Sequence, residues 1–211
     1  MQYKVNAMDD LHKALGDISS IRRQMARSTE FRGYGPWTMA ITGLCTVVAG
    51  TTQAFLVPSP ASQIMRYLAV WIVTAIVCAT LSGIQMHSRS RRMHSSLSDE
   101  MINQAVEQFI PSVGAGALVT TVLVTCVPNA VWMLPGLWQV MFSLGIFASC
   151  RFLPRKIIFA AAWYLLCGLV CLSLADVRAF SPYAMAVPFG VGQLIVAAIL
   201  YVANAGGSDE A

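Results

Sequence analysis

An all-α integral membrane protein is predicted here, with six transmembrane helices arranged as three hairpins behind an N-terminal amphipathic helix. Three observations predict it. Of 211 residues, 56% are hydrophobic and only 11% charged, and mean hydropathy is +0.62, whereas soluble domains carry about a quarter charged residues. Six windows approach the ~20 apolar residues that cross a bilayer as a helix. The basic residues fall almost entirely on one side of those windows.

The chain opens on "MQYKVNAMDDLHKALGDISSIRRQMARSTE", which is polar throughout and reads as carrying no cleavable signal. Asp9 or Asp10 is placed to cap a helix in which Leu11, Leu15, Ile18, Ile21 and Met25 share one face, with Lys13, Asp17 and Arg23 off it. A helix this short is not stable in water unless it buries that stripe. Residues 1–35 are therefore expected to form a cytoplasmic arm lying on the inner leaflet or docked on a protein partner. Arg22, Arg27 and Arg32 would each favour anionic lipid by about 1 kcal/mol. Phe31, Tyr34 and Trp37 suit headgroup depth, and Gly33, Gly35 and Pro36 turn the chain from the surface into the first span.

The transmembrane domain is expected over residues 36–203. Its spans run from Trp37 to Val57, Tyr67 to Met86, Phe109 to Val127, Val131 to Ala148, Ile157 to Ala175 and Ala184 to Val202. Turn chemistry separates most of them, in "PSPAS", "VPN", "RFLPRK" and "DVRAFSPY". Residues 204–211 are a short polar tail. Ahead of the third span, "SSLSDEMINQAVEQFIPSVG" reads as a second amphipathic helix, with Met101, Ala105, Val106 and Phe109 on one face. Glu107, Phe109 and Pro111 there echo Glu30, Phe31 and Pro36, a pattern compatible with a degenerate two-helix repeat.

Orientation follows from the basic residues. Lys4, Lys13, Arg22, Arg23, Arg27 and Arg32 precede the first span; Arg89, Arg91 and Arg92 follow the second; Arg151, Arg155 and Lys156 follow the fourth. Only Arg66 and Arg178 fall on the other side. Short basic loops stay cytoplasmic, so both termini are expected inside a bacterial inner membrane.

No Asp, Glu, Lys, Arg or His lies within the six windows, which disfavours pumps and proton-coupled carriers, because these place ionisable groups at depth. The polar side chains that remain are neutral. Gln53, Gln85, Gln139, Ser143 and Gln193 are expected either to bond between packed helices or to line a path for a small neutral solute. Cys167 and Cys171 stand four apart on one helical face, a spacing that presents two thiols to a soft metal, although Cys in packed helices more often serves as a small apolar residue. His87 and His94 flank "SRSRRM", where a cofactor bound at the membrane edge would find them. No cofactor is predicted, and the basic run beside these histidines reads as a topology signal rather than a nucleic-acid site. Walker, GxGxxG, HExxH and GxSxG patterns in the contexts that give them meaning are missing, and the chain reads as non-enzymatic.

"STEFRGYGPW", "EQFIPS" and "MLPGLWQVMFSLGIFASCRFLP" resemble segments of a group of small six-span bacterial inner-membrane proteins to which no activity is attached. That resemblance implies location and span number alone. The functional expectation is a non-enzymatic accessory, assembly or regulatory subunit that docks a protein partner, or another copy of itself, through cytoplasmic-face helices. Its alternative is a facilitative transporter or channel for a small neutral or lipid-like solute. A third class is a cofactor-binding subunit using His87 and His94.

Overall fold

The computed structural model describes residues 35–93, 96–150 and 155–206, with side chains placed outside 89–102, 155 and 203–206. The arm carrying Leu11, Leu15, Ile18, Arg22, Met25, Arg27 and Arg32, and also His94, lie outside the described residues. Among the described residues, six α-helices form: α1 Pro36–Leu56, α2 Ile64–Met93, α3 Ser96–Cys126, α4 Leu134–Ser149, α5 Ile158–Ser173 and α6 Pro182–Gly206. Short 3-10 turns, Pro128–Met133, Arg155–Ile157 and Val177–Phe180, lead into the last three helices. No strand occurs among the described residues.

Helix starts follow the prolines. Pro36 opens α1, where its missing N–H costs nothing and its fixed φ suits the helix. Gly35 before it is extended, at φ −88° and ψ 138°. Its N–H donates to Gln85 Oε1 at 3.1 Å, so the amide from α2 secures the start of α1. A Cβ on Gly35 would push that amide, the far end of a flexible side chain, out of its present place. Proline also occupies the first turn of α4 and the first position of α6.

Five helical stretches are long and apolar enough to cross a membrane: Pro36–Leu56, Ile64–Ser88, Asn103–Cys126, Pro128–Ser149 and Pro182–Val202. The sixth, Ile158–Ser173, is shorter at 16 residues, or about 24 Å against a hydrocarbon core of about 30 Å. The predicted fifth span, Ile157 to Ala175, thus shrinks at both ends. Ile157 belongs to a 3-10 turn, and Ala175 adopts a positive φ of 54°, a left-handed conformation that stops a helix of L-residues.

The largest departure from the sequence reading concerns the second and third spans. The second was expected to end at Met86, yet α2 runs on to Met93. The amphipathic segment ahead of the third span is not a separate element either. It is continuous with that span through Pro111 in the 31-residue α3. A proline removes one backbone donor but does not end a helix whose neighbouring turns are held by packing. Here that packing is visible: Ser149 Oγ donates to Ala105 O at 3.0 Å, and Phe109 meets Phe142 edge to face at 5.3 Å.

Pairwise contacts close the helices into a ring in the order α2, α1, α6, α5, α4, α3. Neighbours run antiparallel, as two bridges between α1 and α2 illustrate: Gly35 meets Gln85 and Gln53 meets Trp71. The most extensive interfaces are α1 with α6 and α4 with α5, while α2 and α3 barely touch. Two apolar clusters fill the ring. One gathers Val57, Tyr67, Trp71, Leu134, Phe180 and Met185; the other gathers Met39, Ile146, Ile157, Ala161, Tyr164 and Leu200. We refer to them as the Phe180 end and the Gly35 end.

Candidate functional site

The buried polar side chains sit at helix–helix contacts, and most of them satisfy backbone carbonyls of a neighbouring helix or loop. Without water inside a bilayer, a carbonyl that lacks its helical donor must find another. Pro188 lies inside α6 and has no N–H to give to the carbonyl of Ala184, four residues earlier. Gln139 of α4, fully buried, supplies the substitute: its Nε2 donates to Ala184 O at 2.8 Å. The Met185 sulfur lies 3.8 Å from the same nitrogen.

Gln53 performs a similar task one interface away. Its Nε2 donates to Phe180 O at 2.6 Å, at the end of the 3-10 turn that precedes α6. Its Oε1 accepts from Trp71 Nε1 of α2 at 2.7 Å. One amide thereby joins α1, α2 and the approach to α6. Ser143 Oγ donates to Ala161 O at 2.7 Å, tying α4 to α5, and Trp163 Nε1 donates to Pro188 O at 2.9 Å, tying α5 to α6. Trp138 Nε1 donates to Thr120 Oγ1 at 2.8 Å, tying α4 to α3.

Among the described residues, four buried oxygens find no hydrogen-bond partner: Gln63 Oε1, Tyr67 Oη, Gln139 Oε1 and Tyr164 Oη. Tyr67 lies at the Phe180 end, edge-on to the Phe180 ring at 5.0 Å and stacked on Trp138 at 6.4 Å. Tyr164 occupies the other cluster, 4.9 Å from Phe142 and 5.2 Å from Phe189. Its hydroxyl lies against Gly192, where a Cβ would collide with the oxygen. A buried polar atom left unpaired forgoes about 1–3 kcal/mol.

Of the residues singled out from sequence, Gln53, Gln139 and Ser143 are buried and bonded as described. Gln85 bonds the start of α1. Gln193, half-buried, places its Cβ beside Gly43 and bonds to no other described residue. These amides do not converge on one another. His87 is exposed on α2 beyond the Gly35 contact. Cys171 is buried with its thiol toward Ala179 O at 3.9 Å, and Cys167 is half-buried. Among the described residues, no group of three His, Cys, Asp or Glu gathers as metal ligands. Cys150, just past the end of α4, is half-buried, and that burial raises its thiol pKa. The described ion pair, Arg178 with Asp176 at 2.7 Å, is exposed in the loop before α6.

Sequence reasoning did not single out Trp71, Trp163, Pro188, Tyr67 or Tyr164. A signal was available for the first three. Indole N–H groups and a mid-span proline each create a hydrogen-bonding demand inside a bilayer, and the amides answer part of it. No known protein family, curated protein or solved structure matches this chain. Function must therefore be read from this geometry.

Proposed function

We propose that the chain is a six-span inner-membrane protein with both termini cytoplasmic, acting as a non-enzymatic accessory or assembly subunit that docks a partner through its cytoplasmic-face helices. One observation supports the reading: the α2–α3 hairpin is the longest pair of helices and the one least covered by the rest of the chain. Its helices have 30 and 31 residues, about 45 Å each, which exceeds the bilayer core by about 15 Å. Only 17% and 6% of their apolar windows are buried, against 39% for α1 and α6. The overhang carries Arg89, Arg91 and Arg92 on α2 and Asp99 and Glu100 on α3, a polar end suited to a soluble or peripheral surface.

The test is the native mass of the protein, gently solubilised from its own membranes, for the full chain and for a form lacking residues 1–30. A partner at fixed stoichiometry, lost on truncation, supports docking through the cytoplasmic face. A lone chain unchanged by truncation contradicts it. The second reading, facilitated passage of a small neutral solute, is favoured by the unpaired oxygens of Tyr67, Gln139 and Tyr164. Solute flux into vesicles, slowed in Tyr67→Phe and Gln139→Leu, would move that reading ahead.

A further inference from the structure

The ring divides into two sets of three helices, and the bonding inside each set differs from the bonding between them. α1 has its broadest contact with α6 and a further one with α2, while α4 packs broadly on α5 and on α3. Between the sets the seam is thin: α6 meets α5 over a shorter stretch, α4 and α6 touch little, and α2 and α3 barely meet. Close approaches follow the same division. Gly43 and Gly50 of α1 lie against Gly190 and Ala186 of α6, Gly136 of α4 lies against Gly168 of α5, and Gly145 of α4 lies against the Phe109 ring of α3. Such approaches are what binds helices firmly inside a bilayer. Across the seam, contact is made by the ends of side chains. Tyr67 stacks on Trp138, Phe142 and Tyr164 meet Phe189, and Tyr164 reaches Gly192.

Hydrogen bonds divide likewise. Gln85, Trp71 and Gln53 bond within the first set, and Ser143, Ser149 and Trp138 bond within the second. Among the described residues, two side chains bond from the helices of one set to those of the other, Gln139 and Trp163, and their acceptors are Ala184 O and Pro188 O on α6. Three unpaired buried oxygens, on Tyr67, Gln139 and Tyr164, belong to side chains that meet the opposite set.

We propose that the bundle is two three-helix bodies, α1–α2–α6 and α3–α4–α5, that swing at the α5–α6 contact and part between α2 and α3, with Gln139 and Trp163 as the latches. Parting sacrifices little backbone packing, because the seam contains little. It also frees the Tyr67, Gln139 and Tyr164 oxygens to find partners that the shut seam denies them, which narrows the gap between shut and open states. The motion is a property of the chain alone and needs no docked partner.

The test measures electron-spin distances in the full-length chain, one chain per lipid nanodisc, with labels on genetically encoded ketone residues that leave the native cysteines untouched. One pair spans the seam, at the exposed positions Ile76 of α2 and Leu118 of α3; the other lies within a body, at exposed Leu44 of α1 and Leu194 of α6. In the otherwise unaltered chain, the seam pair should show a second, longer distance and the inner pair a single narrow one. Gln139→Leu and Trp163→Phe should each raise the longer population at least threefold and leave the inner pair unchanged. A seam pair as narrow as the inner pair, a longer population unmoved by both substitutions, or an inner pair that broadens with them would each overturn the proposal.

Discussion

Two parts of this bundle are built on different principles. In α1, α4, α5 and α6, backbone meets backbone. A Cβ added to Gly136 would lie 2.8 Å from Gly168 O, and one added to Gly168 would lie 2.9 Å from Gly136 O. Gly43 of α1 stands in the same relation to Gly190 of α6, at 3.2 Å. In α2 and α3, by contrast, Gly83 and Gly114 have no described residue within 4 Å. In a bilayer, apolar burial gives helices no reason to associate, and close approach through small residues supplies it instead. The four-helix set uses that device, and Gly83 and Gly114 stand where no described neighbour exploits it.

The largest expected effect tests this difference directly. Gly168→Ala should cost at least 2–4 kcal/mol, or prevent folding, because a carbonyl rather than a flexible side chain blocks the methyl group. Gly114→Ala, placed on open helix, should be neutral or stabilising by up to about 1 kcal/mol. Thermal unfolding in detergent, followed by circular dichroism, reads both. Equal responses at the two sites would erase the distinction.

A smaller effect sharpens the account of the amides. Gln139→Leu should destabilise by about 1–2 kcal/mol, since it strands the Ala184 carbonyl behind Pro188. In that background Pro188→Ala restores a backbone donor and should recover most of the loss. A double-mutant cycle without coupling would show that Gln139 does not serve that carbonyl. Trp71→Phe should cost about 1 kcal/mol by leaving Gln53 Oε1 unpaired, with thermal unfolding again the readout. At the small end, Ala175→Gly should raise stability by about 0.5–1 kcal/mol, because glycine carries no Cβ penalty at a φ of 54°.

Much of the fold was legible in the sequence because the bilayer demands it. Long apolar runs without charge have few alternatives to spanning helices, and Pro36 and Pro182 mark helix starts by their missing N–H. Continuity through Pro111 was not legible, since it depends on Ala105 and Phe109 packing against α4. The interior site was half-legible. Gln53, Gln139 and Ser143 stood out as neutral polar groups in apolar runs, but their partners lie 127, 45 and 18 residues away. Pairing at that separation is a product of helix order in the ring.

The docking reading is tested most directly by a photo-crosslinking residue placed in the native membrane at Glu107, on the exposed surface of α3, and separately at Leu166, on the exposed surface of α5. The account predicts a discrete protein adduct from Glu107 and only lipid adducts from Leu166. Lipid adducts alone from both positions would contradict it and leave the long hairpin without the partner assigned to it.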